Sequence, residues 1–148
     1  MYNLQTSTKP DRVFGSGTWE IRFDGKGGPI SYGDKIHLLN HFGTMSYLDT
    51  CGSSTCLSSN GLFSLQTSKS PLGSGTWEII SVDGVGGYVK DGGRIHLQHL
   101  TNGIPSYLDT CEPSTCEGSQ GFKLQTSTNP SRHKGSGTWE IKIIYQGK

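Results

Sequence analysis

Apolar and polar residues alternate along this chain in short bursts. In Lys35-Ile36-His37-Leu38-Leu39 the apolar Ile36 and Leu38 flank His37, and in Thr18-Trp19-Glu20-Ile21 the apolar Trp19 and Ile21 flank Glu20. A period of two sends successive side chains to opposite faces of an extended strand, so each burst reads as a half-buried β-strand. No apolar stripe of period 3.6 survives between the glycines, and turn dipeptides such as Asp24-Gly25, Asn60-Gly61, Asp83-Gly84 and Asn102-Gly103 punctuate the chain throughout. The pattern predicts an all-β protein.

The bursts are copies of one another. Gly-Ser-Gly-Thr-Trp-Glu-Ile occurs at 15–21, 73–79 and 135–141, each time after Leu-Gln-Thr-Ser at 4–7, 65–68 and 124–127. We call this stretch unit A. Between its copies lies unit B, with Ile-His-Leu at 36–38 and 95–97 and Ser-Tyr-Leu-Asp-Thr-Cys at 46–51 and 106–111. The order is A, B, A, B, A, with A units over 2–23, 62–82 and 121–144 and B units over 30–58 and 89–118. A period near 60 residues fits repeat architectures, and the length of 148 residues suits a single domain. Each unit is expected to be a hairpin, LQTS pairing with TWEI in A and IHL with YLDT in B, giving ten strands.

The order Gly33-Asp34-Lys35-Ile36-His37-Leu38, then Tyr47-Leu48-Asp49-Thr50, then LQTS and TWEI, resembles the four-strand subdomain of β-trefoil proteins, most closely the MIR-type and ricin-B-type modules. The resemblance covers nearly the whole chain and implies a β-trefoil-like fold. Two departures stand out. Ricin-type subdomains end in QxW, whereas here Gly17, Gly75 and Gly137 hold the glutamine position; and a trefoil has six hairpins where this chain has five. Five hairpins would leave a barrel open, exposing strand edges that a homodimer would cover. The competing architecture takes the hairpin starts at Leu4, Ile36, Leu65, Ile95 and Leu124 as the even spacing of a closed ten-stranded antiparallel β-barrel, which has no edges.

Charge narrows the partners. The formal net charge is +1, without a basic run, so the phosphate-neutralising surface that drives nucleic-acid binding is not evident. No apolar stretch approaches the roughly 20 residues of a membrane-crossing helix, and the first residues read as the start of a strand rather than an export leader. The cysteines form two CxxxxC pairs. Four cysteines allow three connectivities, but a copied unit that folds locally bridges most simply within itself, as Cys51–Cys56 and Cys111–Cys116. Such bridges point to an oxidising, secreted or extracellular setting. No histidine lies near enough to complete a zinc set with either pair, and neither a metal nor another cofactor is expected.

Repetition weighs against catalysis, which needs an asymmetric set of groups with differing proton affinities. It favours binding, since linked equivalent sites gain avidity for a repetitive ligand such as a glycan-covered surface. The leading expectation is therefore a non-enzymatic carbohydrate-binding protein, a lectin for glycans or glycoproteins. A protein-binding scaffold of β-hairpins is the alternative, and a glycosidase using carboxylates such as Asp49 and Glu78 a weaker one. If Leu48 and Leu108 face the core, alternation sends Tyr47 with Asp49, and Tyr107 with Asp109, outward. A ring covers the apolar face of a sugar while a carboxylate accepts its hydroxyls. The ricin-type resemblance likewise implies a sugar-binding aspartate at Asp49 and Asp109. His37 with Asn40, and His96, share the outer side of IHL and can reach a ligand hydroxyl. The competing reading has the aspartates bonded locally and the tyrosines merely covering the hairpin. Trp19, Trp77 and Trp139 are expected in the core.

Overall fold

Strands form where the alternation places them. The computed structural model describes residues 4, 6, 16–23, 29–43, 45–53, 61–70, 73–101, 103–113 and 122–144. They comprise β1 (Trp19–Arg22), β2 (Lys35–Asn40), β3 (Ser46–Ser53), β4 (Gly61–Ser68), β5 (Trp77–Ser81), β6 (Arg94–Thr101), β7 (Ile104–Pro113), β8 (Phe122–Ser127), a single helical turn α1 (Arg132–Gly135) and β9 (Trp139–Glu140). Of the tenth expected strand, the first LQTS copy, only Leu4 and Thr6 are among the described residues. The Thr6 N–H donates to the Phe122 carbonyl at 2.7 Å, and the Thr6 hydroxyl accepts the Phe122 N–H at 2.7 Å.

All nine strands belong to one antiparallel sheet. Its path runs β1-β2-β3-β4-β8-β7-β6-β5, and a further pairing of β5 with β2 brings the path back on itself, giving a nearly closed, barrel-shaped sheet. The all-β expectation holds, and the closure agrees with the barrel alternative. The hairpins are partly re-sorted, however. IHL does pair with YLDT, as β2–β3 and β6–β7, but among the described residues LQTS does not pair with TWEI. Instead β4 lies along β3 and β8 along β7, with Asp49 opposite Gln66 and Asp109 opposite Gln125. Each TWEI strand pairs with IHL: β1 with β2, β5 with both β2 and β6, and β9 with β6. Nearness along the chain does not set the pairing, because LQTS lies closer in sequence to TWEI than to YLDT. LQTS and TWEI are separated by a loop that folds back over the preceding strand, whereas YLDT and LQTS can lie side by side over most of their length.

The core consists of repeat positions. Ile36 and Ile95, Leu48 and Leu108, Leu65, Leu97, Trp77 and Ile79 form the buried cluster, with Leu4, Leu124, Trp19, Trp139, Ile21 and Ile141 packed against it. Several strands depart from the half-buried pattern, among them β2 at Leu39 and Asn40 and β8 from Gln125 to Ser127. In β6 the burial alternates cleanly through Ile95, Leu97 and His99, but in β3 the neighbouring residues Leu48 and Asp49 are both buried, as are Leu108 and Asp109 in β7. Successive residues of a strand point to opposite faces, so β3 and β7 are covered on both.

Candidate functional site

The second cover is the Gly-Ser-Gly-Thr loop that precedes each TWEI strand. Ser74 sits over β3, its carbonyl accepting the Thr50 N–H at 3.4 Å and the Thr50 hydroxyl at 3.3 Å. Ser136 does the same over β7, accepting the Thr110 N–H at 3.4 Å and the Thr110 hydroxyl at 3.3 Å. The tryptophans fasten the other end: Trp77 Nε1 donates to the Leu48 carbonyl at 3.2 Å and Trp139 Nε1 to that of Leu108 at 3.0 Å. Backbone groups of a loop need partners once water is excluded, and unit B supplies them side by side.

This cover corrects the expectation that the aspartates face outward. Asp49 is 6% exposed and Asp109 fully buried. Oδ1 of Asp49 accepts the Thr50 N–H at 2.8 Å and Oδ2 accepts the Ser68 hydroxyl at 2.7 Å. Asp109 repeats the arrangement with the Thr110 N–H at 2.8 Å and the Ser127 hydroxyl. Both carboxylates thus tie YLDT to the end of LQTS, a longer-range partner than the local turn that the competing reading expected. Asn40 is corrected likewise. It is buried, its Nδ2 donating to the Ser16 carbonyl at 2.8 Å and its Oδ1 accepting the Phe42 N–H at 2.9 Å. His99 stands at the equivalent place in the second copy. It is buried against Trp77 at a ring-centroid distance of 5.0 Å, with Nε2 donating to the Ser74 carbonyl at 2.7 Å. Burial holds the His99 pKa below its ordinary value, against the opposing pull of the Ser74 carbonyl and the Asp49 charge.

The remaining candidates come together in pairs. His37 and Tyr47 meet edge to face with ring centroids 6.1 Å apart, and His96 and Tyr107 do so at 5.8 Å. All four side chains are half-buried. His37 Nδ1 lies 3.1 Å from the Gly75 carbonyl, and His96 Nδ1 2.9 Å from that of Gly137. A carbonyl only accepts, so Nδ1 carries a proton in both rings and each imidazole is held at a fixed angle to its tyrosine. The loop that presents these carbonyls packs tightly: a Cβ on Gly137 would lie 2.8 Å from Pro130.

Cys111 is disulfide-bonded. Cys56, Cys116 and the side chain of Cys51 lie outside the described residues. Glu20 accepts from His41 Nε2 at 2.6 Å and pairs with Arg22. The His41 hydrogen bond leads in lowering its pKa, opposed by desolvation and then helped by the Arg22 charge.

No family model matches this chain. No curated protein matches it either. Solved structures do: one, from Caenorhabditis elegans and described as a protein with unknown function, aligns with a TM-score of 0.69 over 95% of this chain and 78% of its own, at 17% identity. At that identity the likeness concerns the fold alone. Sequence reasoning passed over a cleft between the loops that follow β1 and β5, lined by Tyr32, Tyr88, Asp83, Asp91, Lys90 and Arg94. The signal available was the divergence of those two loops within an otherwise copied unit.

Proposed function

We propose that this protein is a non-enzymatic lectin with two equivalent carbohydrate sites, one on each B unit, and that its architecture is β-trefoil-like. The observation that carries the functional reading is the duplicated histidine–tyrosine pair. Each pair offers a ring for the C–H face of a pyranose, a phenolic hydroxyl that donates and accepts, and an imidazole set at its edge. Building the same shallow constellation twice suits multivalent attachment to glycans or glycoproteins. Commitment of Asp49 and Asp109 to serine hydroxyls and backbone supports binding over hydrolysis, since a glycosidase needs carboxyl groups that reach the scissile bond. The trefoil reading draws support from the alternation of TWEI and IHL strands along β1-β2-β5-β6-β9, with YLDT–LQTS hairpins attached to it.

A glycan array tests the reading. The wild-type protein should bind a defined subset of glycans, and a Tyr47→Ala/Tyr107→Ala variant of unchanged fold should lose most of that signal. Either single variant should keep binding but lose the avidity of the pair. A wild type that binds nothing removes the reading, and equal signals move the site elsewhere. Capture of a protein partner that persists after deglycosylation and in excess free sugar would favour the scaffold alternative.

A further inference from the structure

Duplication made the loops at 24–35 and 83–94 as copies, and they have since diverged. Asp-Gly, Gly-Gly and a later Gly remain in register, but Pro29 corresponds to Tyr88, Ser31 to Lys90, Tyr32 to Asp91 and Lys35 to Arg94. The fold brings the described part of the first loop, 29–35, against the second. Tyr32 N–H donates to the Gly87 carbonyl at 3.0 Å, Val89 N–H to that of Ile30 at 2.8 Å, and Ser31 bridges to Tyr88. Between them opens a cleft of about 260 Å³, just under the roughly 300 Å³ at which drug-sized pockets begin. The divergent residues line it. Tyr32 reaches in so far that a Cβ on Gly93 would stand 2.7 Å from its hydroxyl. Tyr88 is 59% exposed at the rim. Arg94 Nη2 pairs with Asp83 Oδ1 at 2.5 Å, and Asp91 Oδ1 is fixed by the Ile143 N–H at 2.6 Å.

We infer that this cleft is a third, unrepeated binding site for a single neutral pyranose. Two carboxylates and two cations balance to zero around it, which disfavours a phosphate or acidic ligand as well as a cation. A neutral polyol uses both signs, giving hydroxyl protons to Asp91 and Asp83 while accepting from Arg94 and Lys90. Tyr88 covers the C–H face at the rim, and the Tyr32 hydroxyl meets the ring's far edge. The size fits one sugar ring rather than a chain. Tyr32 comes from the first copy and the rest of the lining from the second, with Tyr88, Lys90, Asp91 and Arg94 at positions where the copies differ, so among the described residues the repeat does not reproduce this wall. The inference shares the ligand class of the proposed function and none of its residues.

Amide-resolved NMR titration of the full chain with glucose, galactose, mannose and N-acetylglucosamine tests it. At least one sugar should shift the amides of Tyr88, Lys90 and Gly92 with one-to-one stoichiometry. Tyr88→Ala should weaken that titration about tenfold, the loss of one ring contact. Asp91→Asn, which keeps an acceptor for Ile143, should weaken it as well, and Tyr47→Ala/Tyr107→Ala should leave it unchanged. Silence of the cleft amides toward all four sugars overturns the inference, as does a correctly folded Tyr88→Ala protein that titrates like wild type. If the cleft is silent while the Tyr47 and Tyr107 amides respond, this inference fails and the lectin reading stands. If the cleft alone responds, the inference stands and the paired sites fail.

Discussion

The middle and outer A units share the letters GSGTWEI and differ in what surrounds them. Trp77 and Ile79 on β5 are fully buried, with IHL strands β2 and β6 on either side. Trp19 and Ile21 on β1, and Trp139 and Ile141 at β9, are half-buried, and among the described residues each of those strands pairs with a single IHL strand. Identical side chains therefore bury different amounts of surface. The motif sets the local conformation, while the number of neighbouring strands sets how much that conformation stabilises the whole.

Truncation gives the largest effect and the most direct way to break this contrast. Trp77→Ala should cost about 3–5 kcal/mol in denaturant unfolding. Trp19→Ala and Trp139→Ala should cost about 1–3 kcal/mol each, in keeping with partial burial. Equal losses at the three tryptophans would show that the motif, not its flanks, carries the stability. Next come the carboxylates that brace the loops over β3 and β7. Asp109→Ala takes the acceptor from the buried Ser127 hydroxyl, at a cost of about 1–3 kcal/mol, and Asp49→Ala should cost less, because the Ser68 hydroxyl keeps the Ser70 carbonyl at 2.9 Å. A variant that lost sugar binding at full stability would return these aspartates to the ligand site.

A smaller effect distinguishes the clamps on the first and middle loops. His99 clamps Ser74 where Asn40 clamps Ser16. Burial depresses the His99 pKa, so the unfolded chain takes up a proton at a pH where the folded chain does not. The contribution of neutral His99 is thus complete above its ordinary value of 6.5 and erodes as pH falls through and below it. His99→Asn, copying the first loop, should flatten the decline of unfolding free energy between about pH 7 and pH 5. An unaltered slope would assign the decline to other groups. Smallest is Glu20→Gln on the outer strand β1. It should change stability by about 0.5 kcal/mol or less, and the change should shrink with added salt, because the His41 and Arg22 pairings are exposed.

Much of the fold is legible in the alternation of particular residues. Ile36, Ile95, Trp77 and Ile79 face inward as their period of two requires, and Gly103 stands between β6 and β7 at a φ of 75° that favours glycine. Alternation assigns faces but not neighbours, so it could not tell that β4 would choose β3 over β5. Nor could it foresee Asp49, whose burial depends on Ser74, a residue 25 positions further along. Tyr47, Tyr107, His37 and His96 were legible singly, each from alternation in its own strand, but their edge-to-face pairing was not, because alternation had set each tyrosine beside an aspartate. The cleft was not, because Tyr32 and Tyr88 come from separate copies and meet only once the barrel curls round.

The Ser74 carbonyl takes Thr50 from one B unit and His99 from the next. One oxygen thereby joins the duplicates, and neither can be excised as an autonomous piece without stripping the other of a clasp. A gene that grew by doubling has in this way become indivisible, and heat or denaturant should take the two copies apart together, in a single cooperative step.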